Sequence, residues 1–363
     1  MSYFYYMKKK ITYFFIIVIF LLCIILFSLS DCYYVTQGCT LLSIYSKAEN
    51  IDELLEREEL AQDDRELLLL VKDLKSYAIE ILGLNDNENY TKYIHLDRDY
   101  LVVVVSACES DSFIQYKWHF VFMGAMPYKG FFSEEDALNE GRSLKEQGYD
   151  VYIRRVDVFS TLGILSDPIF SFMKQYSIYS LANIIFHEQM HTTLFLKENV
   201  DFSENLALFI GNEGALQFIH HRYGEESNEY NQAINIKHDS AIFRSWIKDL
   251  YDELTTLYNQ EIEKQSILAG KAQIISNWKE RLGQEYESNF KTDMFKNIIE
   301  IEINNAFIAT YMNYTSNLDL FYELYQVCDY DLNKLLQVVK GVEDYKEDAF
   351  AYIEQYIKQQ KSM

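Results

Sequence analysis

The chain has 363 residues, enough to bury a sizeable core, and its hydrophobic content of 49% excludes a disordered protein. Its net charge of −22 argues against a surface that binds nucleic acid. The acidity is typical of a solubilising surface, and a preference for basic peptides is the weaker alternative. The composition predicts one large globular domain behind an N-terminal appendage, and it leaves the oligomeric state open.

Residues 1–31 have the pattern of a targeting segment. The basic cluster at residues 8–10 precedes an apolar run, residues 11–30, which as a helix would span a bilayer core of about 30 Å. The basic flank predicts a body that lies outside the cytoplasmic membrane. An uncleaved anchor is favoured over lipidation at Cys32, because Asp31 fits a lipoprotein signal poorly. Both alternatives predict a membrane-anchored protein.

The body begins with helical spacing and then changes period. Apolar residues recur at helical intervals over residues 33–83. Ser133 is expected to cap a helix that ends before Gly148. Runs of β-branched or alternating residues predict three strands: residues 100–107, 115–123 and 149–156.

The second half of the chain is predicted to be mainly helical. Asp167-Pro168 has the form of a helix start, with Asp as the N-cap and Pro as the first residue. Dense charged residues and apolar spacing over residues 243–282 predict a long antiparallel helical hairpin. The five cysteines include no C-x-x-C pair, so they provide no metal-ligand spacing.

The pattern H-E-x-x-H occurs at residues 187–191. On a helix, His187 and His191 lie on one face and can present two imidazole nitrogens to one metal ion. Glu188 lies beside that pair, where a carboxylate can accept a proton from metal-activated water. No Pro or Gly interrupts residues 177–200, so the motif is predicted on a helix with a buried face. The alternative is a surface helix with two solvated histidines.

A zinc hydrolase site needs a third protein ligand, and Glu204 follows the motif. Asp201-x-x-Glu204 also has the form of a capping box, so the residues alone leave ligand and cap about equally favoured. Glu204 and Glu213 are about 900° apart on one continuous helix, half a turn out of phase, so they are not expected to face the same metal. Gly211 would let this second helix approach another closely.

The segment S-E-N-L-A-L-F-I-G-N-E-G, residues 203–214, resembles the pattern N-E-x-x-A-x-F-x-G-x-E-G of a bacterial family labelled as zinc aminopeptidases. In that family the segment follows an H-E-x-x-H helix after a short loop. Ser203 replaces the family's Asn. The segment is also similar to that of the wider gluzincin class, in which a Glu is the third zinc ligand. The resemblance implies that Glu204 joins His187 and His191 as a ligand of Zn²⁺, the expected cofactor.

The resemblance also covers residues 126–168 and a later segment around Asn304-Asn305-Ala306. Aligned by eye, Tyr314 matches a family tyrosine, which implies stabilisation of the oxyanion; packing is the alternative. Thr161 and Gly163 lie in a stretch interpreted as an edge strand that pairs with an extended peptide; a strand end and turn is the alternative. Glu213 is the nearest acidic candidate for binding a substrate's α-ammonium group.

The predicted fold class is α+β, with a small mixed sheet, zinc-binding helices and a mainly helical C-terminal part. Residues 1–31 are the predicted anchor and residues 33–363 the domain, divided into a helix and sheet part (33–165) and a zinc-helix and helical part (166–363). The predicted function is zinc-dependent hydrolysis of peptide substrates, and "aminopeptidase" rests on the resemblance alone. The alternative is a non-catalytic zinc-binding or helical envelope binding protein, but such a protein has no need of Glu188 as a base.

Overall fold

The computed structural model describes residues 33–120, 124–157, 166–312, 318–345 and 348–362. The chain divides into two compact units, Met1–Ala48 and Glu49–Met363. In the first unit the described structure is helix α1 (Tyr33–Tyr45). The described residues confirm an α+β protein with small sheets and a mainly helical C-terminal part. The predicted division at residue 165 stays a prediction.

The first part of the larger unit contains eight short strands and three helices among its described residues. In chain order these are β1 (Glu49–Asn50), α2 (Ile51–Leu55), α3 (Gln62–Glu80), β2 (Lys92–Ile94), β3 (Val102–Glu109), β4 (Trp118–Phe120), β5 (Gly124–Met126), β6 (Tyr128–Phe131), α4 (Glu134–Glu146), β7 (Tyr149–Val156) and β8 (Ile169–Phe170). A 3₁₀ turn, Ser171–Gln175, follows β8.

Helices make up the second part of that unit. They are α5 (Ile178–Thr193), α6 (Val200–Tyr223), α7 (Asn228–Tyr258), α8 (Lys264–Asn289), α9 (Asn305–Met312), α10 (Leu318–Val327), α11 (Leu332–Lys340) and α12 (Ala349–Lys361), with 3₁₀ turns at Lys296–Glu300 and Gly341–Asp344. Helices α7 and α8 pack on each other, and Trp278 Nε1 donates to the backbone oxygen of Trp246 at 2.9 Å. This pair of helices confirms the predicted helical hairpin.

Three small sheets are present in the described residues. Strand β3 is central in the antiparallel sheet β6-β3-β7, while β2 pairs with β1 antiparallel and with β8 parallel, and β4 pairs with β5. The four valines of β3, residues 102–105, are all buried, because helices α4 and α9 both pack against this strand. Burial on both faces explains why this strand has a continuous apolar run instead of alternation.

Several predicted elements are confirmed at close to their predicted ends. Strand β7 has the predicted bounds, and the β-branched run forms β3. Helix α4 begins after Ser133, whose side chain accepts a hydrogen bond from the backbone N–H of Asp136. Gly148 follows the helix with φ +91°, a left-handed conformation that favours glycine.

The predicted helix start at Asp167-Pro168 is wrong. These residues lead into β8, and helix α5 starts later, where the Ser177 side chain accepts a hydrogen bond from the N–H of Ser180 at 3.0 Å. The backbone N–H of Tyr90 donates to the carbonyl oxygen of Asp167, which ties Asp167 to the chain that enters β2. Parallel pairing of β8 with β2 therefore overrides the local helix signal.

The structure corrects the prediction of a membrane-anchored protein. In the described part of the chain, no helix has both the length and the apolarity needed to cross a bilayer. Its long helices, such as α7 and α8, bury one face and carry charged residues along the rest, the pattern of helices that pack on a core. Residues 1–31, on which the prediction depended, lie outside the described residues.

Helix α6 runs without a break through Gly211 and crosses α5 at very close range. A Cβ atom added at Gly211 would lie 2.8 Å from the backbone oxygen of Asn183 on α5. Contact this short between a side-chain carbon and a helix backbone is not tolerated, so glycine is required for the observed spacing. The predicted close approach at Gly211 is confirmed.

We expect Gly211→Ala to destabilise the protein by about 1–3 kcal/mol, because overpacking must push α5 and α6 apart. Gly283→Ala on α8 is the matched control: its added Cβ would come no closer than 3.9 Å to Ile299, so the helix should gain about 0.5–1 kcal/mol. Urea denaturation of both variants measures the difference. Equal midpoints for the two variants would contradict the role assigned to Gly211.

Candidate metal centre

Helix α5 places the motif on the boundary between core and solvent. Most of its apolar side chains and Gln189 are buried, while on the other face the side chains of His187 and His191 are 21% and 18% exposed. The predicted helix with a buried face is therefore confirmed. The same periodicity that builds the core turns both imidazoles to the face that meets α6.

The structure brings His187, His191 and Glu204 together. The two imidazole Nε2 atoms are 3.1 Å apart, and their rings are nearly perpendicular at 84°. Glu204 Oε2 lies 3.6 Å from His187 Nε2, and Oε1 lies 3.5 Å from His191 Nε2. One ligand atom from each residue fits within a 4.8 Å group that could hold a metal ion.

These separations fit a tetrahedral zinc site. With metal–ligand bonds of about 2.0–2.1 Å, the ligand atoms of a tetrahedron lie about 3.3–3.4 Å apart. The observed 3.1–3.6 Å distances bracket that value. Two imidazole nitrogens and one carboxylate form a donor set that suits Zn²⁺ and leaves a fourth position open, as catalytic zinc sites require.

The pKa of the Glu204 carboxyl group suits a metal ligand. Burial alone would raise its pKa, but the imidazoles of His187 and His191 outweigh that effect and lower the pKa to about 2. Glu204 is therefore an anion at neutral pH, the form that binds metal. The capping-box alternative is wrong, because α6 is capped by Asn199, whose Oδ1 accepts from the N–H of Phe202 at 3.1 Å.

Ser203, which departs from the family pattern, fastens the loop between α5 and α6. Its hydroxyl accepts a hydrogen bond from the N–H of Leu196 at 2.9 Å and donates to the carbonyl oxygen of Asn199 at 3.2 Å. The side chain is 1% exposed. It thereby joins the start of α6, which carries the neighbouring Glu204, to the loop that follows the histidine helix, a role that the sequence alone did not reveal.

A loop rich in asparagine, residues 84–90, holds the last turn of α5. The N–H of Asn85 donates to Thr193 Oγ1 at 3.0 Å, and Gln189 Nε2 donates to the carbonyl oxygen of Asn85 at 3.0 Å. Asn87 Nδ2 donates to Thr192 Oγ1 at 2.6 Å. The cluster of asparagines in N-D-N-E-N, residues 85–89, is the sequence signal for this loop. It does not show that the loop binds to the last turn of α5.

The same loop holds Asp167 near the motif. The N–H of Asp167 donates to Asn89 Oδ1 at 3.0 Å, and its carbonyl oxygen accepts from the N–H of Tyr90 at 2.6 Å. Burial, together with the negative charge of Glu188, raises the pKa of the Asp167 carboxyl to about 7. The sequence pattern indicated a helix cap at Asp167 and gave no sign of its attachment to this loop.

Glu213 is not brought to the metal-binding group. It is buried on α6, and its Oε1 forms an ion pair with Lys237 Nζ at 2.5 Å. The preceding Asn212 accepts hydrogen bonds from Tyr179 Oη at 3.0 Å and from Asn183 Nδ2 at 2.8 Å. The unbroken α6 agrees with the expectation that Glu204 and Glu213 lie on different sides of it.

The remaining predicted site residues lie outside the described residues. They are Thr161, Gly163 and Tyr314. Their roles stay predictions.

The fold and the grouped side chains together define an α+β protein with a candidate metal centre. The sequence matches the model of a family described as "Putative aminopeptidase" over residues 32–350, and the chain belongs to this family. The match covers most of the chain and supports a peptidase. No curated protein and no solved structure gave a match.

Removing the Glu204 carboxylate should weaken metal binding, because it takes away the anionic member of the group. We expect Glu204→Gln to lower zinc affinity by about 10-fold or more, since each metal contact is worth well over 1 kcal/mol. Competition with a chromogenic chelator measures the affinity.

Glu213→Gln is the matched control on the same helix. It should leave zinc affinity unchanged and reduce the melting temperature, because the half-buried Lys237 loses its partner at a cost of about 1–3 kcal/mol. Zinc retained by Glu204→Gln but lost by Glu213→Gln would show that the ligand had been assigned to the wrong side of α6.

Proposed function

We propose that this protein is a zinc-dependent peptidase that acts as an aminopeptidase. The observation that carries the proposal is the group formed by His187, His191 and Glu204, with Glu188 adjacent to the first histidine. Membership of the aminopeptidase family supports peptide hydrolysis independently of this geometry.

In this proposal the two imidazoles and the Glu204 carboxylate hold the ion, and other residues handle the protons. Bound zinc supplies a Lewis acid that lowers the pKa of water and polarises a carbonyl oxygen. Glu188 accepts the proton of the attacking water and delivers it to the leaving amine nitrogen. Tyr314 remains the predicted donor to the oxyanion, and Thr161 and Gly163 the predicted peptide-binding edge.

Two features argue for catalysis over a purely structural zinc site. Structural sites are closed by four protein ligands, whereas the group in the described residues has three. A structural site also has no use for a base such as Glu188, which makes no ion pair with any described residue that would neutralise it. Both features favour an enzyme over the non-catalytic alternative.

The full-length protein should hold about one zinc ion per chain after zinc reconstitution. It should also remove N-terminal residues from a mixture of hexapeptides, as followed by mass spectrometry. Treatment with 1,10-phenanthroline should abolish cleavage, and added zinc should restore it. A protein that binds no zinc, or that cleaves peptides equally well with the chelator present, would contradict the proposal.

Glu188→Gln keeps the shape of the side chain but removes its basicity. We expect zinc content to be unchanged and kcat to fall by about 10²–10⁴-fold, the usual contribution of a general base. Glu198→Gln, in the exposed loop that follows α5, is the control and should retain full turnover. Turnover that survives unchanged in Glu188→Gln would show that Glu188 is not the base.

A further inference from the structure

An exposed aromatic side chain lies beside the candidate metal centre. Phe195 is 43% exposed, and it is the only exposed phenylalanine among the residues that the structure describes. Its ring centroid lies 5.6 Å from that of His191, and the two rings are nearly perpendicular at 81°. This is the edge-to-face geometry that aromatic pairs prefer. The phenylalanine that is left exposed therefore contacts a candidate metal ligand.

The backbone on both sides of Phe195 fixes the direction of its side chain. Leu194, which caps the C-terminus of α5, has an extended conformation (φ −149°, ψ 120°) and is buried. Successive side chains of an extended chain point to opposite sides, so the burial of Leu194 turns Phe195 outward. The N–H of Leu194 donates to the carbonyl oxygen of Met190, and the N–H of Leu196 donates to Ser203 Oγ, both at 2.9 Å. The aromatic ring is therefore presented to solvent by a backbone that is bonded to both helices.

A second exposed apolar side chain borders the candidate ligands from the other helix. Val200, the first residue of α6, is 48% exposed and precedes Glu204 by four residues. Residues four apart on a helix are neighbours on its surface, with Cβ atoms about 5–6 Å apart. The candidate metal centre therefore has exposed apolar surface at the end where the loop joins α5 to α6.

The position of this surface indicates what it binds. In the proposed reaction the cleaved peptide bond lies beside the candidate ligands, so the side chains of the two residues that flank the bond lie next to them. Apolar surface is stabilised when it leaves water, whereas a charged side chain placed against it loses hydration without gaining a partner. Sites for small ligands are lined mainly by apolar and aromatic side chains for this reason.

We propose that Phe195 and Val200 form an apolar subsite for a substrate side chain next to the cleaved bond, so that peptides with a large apolar residue there are preferred. The proposal rests on the proposed peptidase function. It names the substrate class as peptides with a residue such as Phe or Leu at that bond, as distinct from peptides with a small or charged residue. It also replaces the weaker expectation of basic peptides.

The test uses the full-length protein and two series of hexapeptides that are otherwise alanine. Phe, Leu, Ala, Lys or Glu occupies the first position in one series and the second position in the other. In one series the wild-type protein should cleave the Phe and Leu peptides with kcat/KM about 10-fold or more above that of the Ala peptide, the usual gain from one buried apolar side chain. The Lys and Glu peptides should not exceed the Ala peptide.

Phe195→Ala should bring the Phe and Leu peptides to within about 3-fold of the Ala peptide, because the substrate side chain loses its aromatic partner. Phe195→Leu keeps an apolar side chain and should keep most of the preference. Ile262→Ala is the matched control, because Ile262 is also 43% exposed but lies in the loop between α7 and α8. It should retain both activity and preference. Zinc affinity should be the same in all three variants, because neither residue belongs to the candidate ligand group.

A binding measurement provides a second readout that does not depend on turnover. In the Glu188→Gln protein, Phe-Ala-Ala or Ala-Phe-Ala should bind about 10-fold more tightly than Ala-Ala-Ala, as measured by calorimetry. The peptide that binds more tightly should have Phe at the position that the cleavage series identifies. Adding Phe195→Ala should remove most of the difference, and adding Ile262→Ala should not change it.

The outcomes separate this proposal from the peptidase function on which it rests. No cleavage of any peptide by the wild-type protein would overturn the peptidase function, and calorimetry would then decide the apolar subsite alone. A preference that survives in Phe195→Ala, or a wild-type preference for Lys or Glu, would overturn the subsite and leave the peptidase intact.

Two further outcomes would assign Phe195 a different role and so overturn the subsite. Equal loss on all peptides, together with weaker zinc binding, would show that Phe195 supports His191 and does not contact the substrate. A dimer in sedimentation velocity that is lost in Phe195→Ala, with substrate preference unchanged, would show that the exposed ring binds a second copy of the chain.

Discussion

Close packing of α5 on α6 is the constraint on which the rest of the candidate site depends. A carboxylate on α6 and two imidazoles on α5 come within metal-binding distance where the two helices pack on each other, and Gly211 against the carbonyl oxygen of Asn183 permits their close approach. The crossing also buries the apolar faces of both helices, so core formation and ligand placement are a single event. A change in the spacing of α5 and α6 would therefore change the distances between the candidate ligand atoms.

The ends of the crossing are fixed by polar contacts rather than by apolar packing. Ser203 closes the loop that leads from α5 into α6, and the loop at residues 84–90 bonds to the last turn of α5. Each of these two bonds joins the backbone N–H of a loop residue, Leu196 or Asn85, to a hydroxyl group on a helix. These contacts lie close to the candidate ligands, because His191 is in the last turn of α5 and Glu204 is near the start of α6.

The elements that could be predicted are those that short-range patterns determine. The β-branched run gave β3, the Ser133 cap and Gly148 bounded α4, and helical periodicity placed His187, Glu188 and His191 on one helix. The half-turn argument that separates Glu204 from Glu213 needed only the geometry of a helix, and α6 is continuous as it requires.

What could not be predicted depends on partners that are distant in sequence. Asp167 looked like a helix cap, because its bonds to Asn89 and Tyr90 and the pairing of β8 with β2 leave no local trace. The role of Ser203 required knowing that the chain turns between residues 194 and 199. The choice between ligand and cap at Glu204 was open for the same reason, because Asn199 rather than Asp201 turned out to begin the helix.

The spacing of the site residues along the chain has a consequence for how the site assembles. The candidate ligands all lie within residues 187–204, two consecutive helices and a short loop, so they meet by local loop closure at modest entropic cost. Asp167 reaches its loop across 78 residues of chain, and α5 reaches the same loop across 108. Because short-range contacts form faster than long-range ones, we expect α5 and α6 to pack on each other before Asp167 and the last turn of α5 attach to the 84–90 loop.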